Sequence, residues 1–139
     1  MKITKLASKG FSLVEMLVVI AIIGVIAAIA VPQISDFTDA AKLSKHKRNA
    51  QNLASVCSAA QAAGLDMVST DVPTTVTALV AGGTIADAQS AFDGQYFGVP
   101  GLRTADQTVA AAFLVFANGT LQYNPTDAAV AAAQALSDF

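Results

Sequence analysis

Lys9-Gly10-Phe11-Ser12-Leu13-Val14-Glu15-Met16-Leu17, continued by VVIAIIGVIAAIAVP over Val18–Pro32, is the stretch on which the reading of this chain turns. From Met16 to Val31 every position is apolar or glycine, and residues 16–35 carry no charge. Extended back to Phe11, the run is interrupted only by Ser12 and Glu15. As a helix rising about 1.5 Å per residue it spans roughly 30 Å, the thickness of a bilayer's hydrocarbon core. The remaining hundred or so residues could not easily cover a helix this long and apolar on all sides. The run therefore predicts a membrane span.

The flanks of that run decide what kind of span it is. Lys2, Lys5 and Lys9 precede it; Lys42, Lys45, Lys47 and Arg48 follow at a greater distance, behind Asp36 and Asp39. This asymmetry leans towards a cytoplasmic N-terminus. An ordinary secretory reading takes the lysines as a basic n-region and Ala28-Ile29-Ala30 as the cleavage site, releasing a soluble binding protein from Val31. Against it stand the length of the apolar run, Pro32 just beyond that bond, and Glu15 inside the run. A carboxylate there is costly, and such residues usually have a function. A third reading is a single-span membrane protein that keeps Lys2–Lys9 for topology and never assembles.

With Gly10, Phe11, Glu15 and Pro32 at their spacing, the segment resembles the cleavage and methylation signature of type IV prepilins and of the pseudopilins of type II secretion. The resemblance covers residues 1 to about 35. It implies cleavage between Gly10 and Phe11 by a prepilin peptidase and N-methylation of the new Phe11 amine. It also implies that Glu15 of one subunit pairs with the Phe11 amine of a neighbour. An apolar setting makes an unpaired carboxylate expensive, so such a pair would set axial register as well as attraction. Further implied partners are an inner-membrane platform protein, a cytoplasmic assembly ATPase and other pilin-like subunits in a helical filament. The expected location is the bacterial inner membrane, single-pass with the N-terminus cytoplasmic and the head outside the cytoplasm, and then a pilus or periplasmic pseudopilus. Both pilin and pseudopilin fit these residues.

Helical periodicity continues past Val31 through Ile34, Phe37 and Ala41, and Ala50, Leu53, Cys57 and Ala60 form a second stripe. One helix from about Leu13 to Ala63 is expected, bent or loosened at Pro32, which lacks a backbone donor, and stopped at Gly64. The expected organisation is a leader (1–10), a transmembrane and filament-core helix (11–31), the continuation of that spine (32–64), and a small globular head (65–139). In the head, Asp71–Ala81 reads as a short helix closed by Gly82-Gly83, and Gln95–Val99 as a weak strand. Thr104-Ala105-Asp106-Gln107 reads as a capping box opening another helix. Asn118-Gly119 joins Ala112–Ala117 to Thr120–Tyr123 in a type I′ hairpin, with Phe116 facing Leu121 and Leu114 facing Tyr123. That sheet face is expected against the Ala50–Ala60 stripe. An alanine-rich helix follows over Thr126–Leu136. The fold class is α+β and pilin-like: a long N-terminal spine helix packed against a small antiparallel sheet.

Composition argues against a dedicated nucleic-acid role, and an enzyme is the most distant of the rival readings. Removing residues 1–10 leaves five basic against ten acidic residues, so the rest of the chain is acidic, unlike a nucleic-acid-binding domain. The single cysteine, Cys57, cannot form an intrachain disulfide. His46 and Cys57 are about 16 Å apart on one helix, too far to act together. They read as an exposed histidine in a basic run and a packed cysteine. The Lys42–Arg48 run reads as a solvated face or as one pairing with surface aspartates of a neighbouring subunit. Asn118-Gly119-Thr120 fits a glycosylation sequon, but the turn already accounts for its asparagine. No cluster has metal-ligand spacing, and Asp127 and Asp138 are too far apart to transfer a pseudopilin calcium site. No cofactor is expected, and the expected role is structural rather than enzymatic.

Overall fold

The computed structural model describes residues 10–137. The leader lysines Lys2, Lys5 and Lys9, and Asp138, lie outside the described residues. Helix α1 runs from Leu13 to Ala62 and stays helical through Pro32. The chain divides into two compact units, one up to Asp39 and one from Ala40 onward.

The first unit contains the apolar half of α1. From Phe11 to Val31 every residue is exposed except Ala30, which is half-buried. This half is apolar on all sides, and its large side chains are exposed.

The second unit is built on the amphipathic half of the same helix. Ala50, Leu53, Cys57 and Ala60 are each fully buried, while Gln51, Asn52, Ser55 and Ser58 between them face solvent. The helix ends in a Schellman motif. Leu65 N–H donates to Ala60 O at 2.8 Å and Gly64 N–H to Gln61 O at 3.0 Å, with Gly64 at φ +93°, a conformation glycine adopts without penalty.

Helix α2 (Val72–Ala81) is capped by Asp71, which accepts the Thr74 N–H at 3.1 Å. Strand β1 (Gly83–Thr84) then pairs antiparallel with β2 (Tyr96–Phe97), so the weak strand signal finds its partner immediately after α2. Helix α3 (Thr104–Ala111) forms where expected, but its N-cap is Arg103 and no side chain caps it. The expected Thr104–Gln107 capping box is not made. Thr104 already lies inside the helix, and Gln107 Nε2 donates to Leu102 O at 2.8 Å instead.

The hairpin of β3 (Leu114–Ala117) and β4 (Thr120–Tyr123) pairs Phe116 with Leu121 and Leu114 with Tyr123. Asn118 at φ +55° and Gly119 at φ +76° supply the two positive dihedrals of a type I′ turn. Gln61 Nε2 donates to Gly119 O at 2.9 Å and pins that turn to α1. Helix α4 (Asp127–Ser137) closes the chain, with Thr126 Oγ1 accepting the Ala129 N–H at 3.2 Å.

The single expected sheet is two separate two-stranded ribbons. One core nonetheless joins the elements. Ala50, Leu53 and Cys57 share it with Val76 and Leu79 of α2, Val109 of α3, and Leu114 and Leu121 of the hairpin. Phe113, fully buried, is its largest side chain, and Phe113 packs at 6.4 Å between ring centroids on Tyr123. The alanines of α4, Ala129 and Ala133, are buried against the same core. Phe116, at the turn end of the sheet face, stays 37% exposed, so that face is only partly covered.

Candidate processing and assembly site

The site begins where α1 begins. Gly10 and Phe11 precede the helix, and Ser12 opens it, its carbonyl accepting the Met16 N–H at 3.2 Å. Space around Gly10 is open: a side chain added there would meet nothing within 4 Å. Phe11 is 79% exposed. Among the described residues, nothing crowds the bond between them.

Glu15 sits in the first turn and folds back. Its Oε2 accepts the Ser12 N–H at 2.8 Å, while Ser12 Oγ accepts the Val14 N–H at a longer 3.4 Å. Two backbone donors that a helix start leaves unpaired are therefore satisfied reciprocally, as in a capping box. The carboxylate also faces the positive end of the helix dipole. A carboxylate has acceptor capacity beyond one hydrogen bond, so this contact and a cationic partner from another subunit are compatible. The Ser-x-x-Glu spacing just ahead of the apolar run was a readable sign of this cap that sequence reasoning missed.

Behind the cap, α1 is the one described helix long and apolar enough to cross a membrane. Leu13, Ile20, Ile23, Val25 and Ile29 are each more than half exposed. An apolar surface of this extent needs an apolar partner, either lipid or other copies of the same segment.

Residues 5–31 match the family model for the prokaryotic N-terminal methylation motif. The chain carries the type IV pilin and pseudopilin prepilin signature. The motif takes in Gly10, Phe11 and Glu15 and stops one residue short of Pro32; no part of the head belongs to it. Comparison with curated proteins and with solved structures found no match.

A second polar cluster lies in the head, and sequence reasoning missed it. His46 is not the exposed histidine expected: it is 6% exposed and packs beneath α3. Asp106, also 6% exposed, accepts from Lys45 Nζ at 2.8 Å and from Arg103 Nε at 3.1 Å. His46 Nδ1 lies 3.8 Å from Asp106 Oδ1, too far for a hydrogen bond, and has no partner. Burial lowers the His46 pKa, Asp106 partly offsets this, and Lys45 adds to it. The Lys45 hydrogen bond leads the causes that lower the Asp106 pKa, with desolvation opposing it and Arg103 assisting. His46 falls on the same stripe as Ala50, Leu53 and Cys57, and that periodicity could have placed it inside. Asp106 is sixty residues further on, and no local pattern links the two. Among the described residues no group of three potential ligands could hold a metal.

Proposed function

We propose that this chain is a structural, non-catalytic subunit of a type IV filament, cut between Gly10 and Phe11 and assembled through its N-terminal helix. The observation that carries the reading is the prepilin signature at residues 5–31 on a helix whose large apolar side chains are exposed. Cleavage would free the Phe11 amine, and its methylation would keep the positive charge. Glu15, already at the helix start, would meet that cation from a neighbouring copy in an apolar, weakly screened setting. Pro32 would loosen α1 where the apolar half ends, because its ring removes one backbone hydrogen bond. Lipid would hold the waiting subunit, and packing among the Phe11–Val31 segments would replace lipid in the filament core. A prepilin peptidase, an inner-membrane platform protein and an assembly ATPase would carry out these steps, with the head outside the cytoplasm.

The test is expression of the full chain in cells carrying its own assembly machinery, followed by shearing and electron microscopy. Filaments that contain the chain are expected, and Glu15→Ala should leave it inserted and processed but largely unassembled. A chain that stays in the membrane as single subunits when the machinery is active would sink this reading.

A further inference from the structure

The charges of the head are separated along α1. The five basic residues left after the leader are Lys42, Lys45, Lys47, Arg48 and Arg103. Arg103 is distant in sequence, yet it joins the others in space because Asp106 binds both it and Lys45. Lys42, Lys45, His46, Arg103 and Asp106 line one open groove of about 530 Å³, with Leu136 of α4 at its edge. Within the groove Lys45 and Arg103 share the single carboxylate of Asp106, which both already engage. At its floor the His46 side chain, 8% exposed, keeps an unpartnered Nδ1.

The complementary feature is the loop between β1 and β2. Asp87, Gln89, Phe92 and Asp93 are all exposed there, with Phe92 at 49%. The loop has defined shape: Asp93 Oδ1 accepts the Asp87 N–H at 3.1 Å, and Gly94 N–H donates to Ile85 O at 2.9 Å. Its ribbon starts at Gly83, which lies against Leu65 just beyond the end of α1. From Lys45 to the end of α1 at Ala62 is about 25 Å of helix. The loop therefore cannot fill the groove of its own head.

We propose that the Asp87–Asp93 loop of one copy docks into the Lys45–Arg103 groove of the next, with Phe92 packing on Leu136. The proposal rests on the filament reading and adds the head contact to it. The two surfaces differ and sit apart on one body, so the contact is head-to-tail and propagates into an open array rather than closing a dimer. Opposite charge steers the encounter, and the aromatic residue supplies the apolar area that charge alone does not.

The experiment uses the full chain in its native membranes with the assembly machinery active. Gln89→Cys and Leu136→Cys are combined and oxidised; Cys57 is fully buried and does not compete. A disulfide between chains is expected only when both substitutions are present. Arg103→Glu should lower its yield about tenfold, and Asp87→Arg added to it should restore most of the loss. A link within one chain, no link in assembled filaments, or an Arg103→Glu loss that Asp87→Arg fails to restore would overturn the docking while leaving the filament reading standing. A wild-type chain not cut before Phe11 would instead overturn the filament reading, and this contact with it.

Discussion

Glu15 closes back onto Ser12, its Oε2 accepting the Ser12 N–H at 2.8 Å. The same side chain therefore has a role inside the subunit as well as the one proposed between subunits. Glutamine at position 15 keeps an acceptor for the cap but loses the charge, whereas alanine loses both. Glu15→Gln and Glu15→Ala should both insert and be processed, and both should assemble poorly. Only Glu15→Ala should speed amide exchange at Ser12. Normal filament yield from Glu15→Gln would mean that the cap, not the charge, is what position 15 supplies.

Asp106 ties α3 to α1 through Lys45. Asp106→Asn weakens two charged hydrogen bonds; Lys45 is half-exposed and Arg103 largely exposed, so solvent screens part of the loss. The expected cost is about 1–2 kcal/mol of head stability, read as a lower melting temperature. Lys47→Gln, on the same helix without an ion pair among the described residues, should change the melting temperature little. Equal effects from the two would argue against a specific role for Asp106.

Acid should weaken the head in two stages. Burial holds the His46 pKa below its ordinary 6.5, so the unfolded chain binds a proton that the folded head resists. That contribution is complete above 6.5 and declines as pH falls through 6.5 towards the lower folded value. Asp106 is held below its ordinary 3.8, so its contribution is present above 3.8 and is lost only at lower pH. Melting temperatures between neutral pH and about pH 5 should fall for the wild type. His46→Gln should flatten this first decline. A wild-type curve that is flat over this interval would contradict the placement of His46.

The hairpin turn gives a prediction about backbone alone. A side chain at Gly119 would touch nothing within 4 Å, yet its φ is +76°. Gly119→Ala should therefore cost about 1–2 kcal/mol through the dihedral and not through a clash. In the core, Phe113→Ala should cost about 3–5 kcal/mol, since it empties the largest fully buried position. A head that tolerates Phe113→Ala better than Gly119→Ala would mean that the core is not centred there.

Features with a local cause were legible in the sequence. The bounds of α1 came from periodicity and a glycine stop, and the hairpin register from Asn118-Gly119. The end of α2 came from Gly82-Gly83, and the methylation motif from residue types at fixed spacing. What escaped was set by contacts distant along the chain. Nothing near Gly83-Thr84 marks a strand, because that pair exists only through Tyr96-Phe97. His46 looked solvated among lysines, and its burial depends on Asp106 arriving from α3. The Thr104–Gln107 pattern failed for the opposite reason. The helix began one residue earlier than that capping box requires, and Gln107 found the Leu102 carbonyl instead.

The central claim is the cut before Phe11, and the intact mass and N-terminal peptide of the protein from its native membrane test it most directly. A chain beginning at methylated Phe11 is predicted. A chain beginning at Val31, or one that retains Lys2–Lys9, would contradict the account and remove the roles given to Phe11 and Glu15.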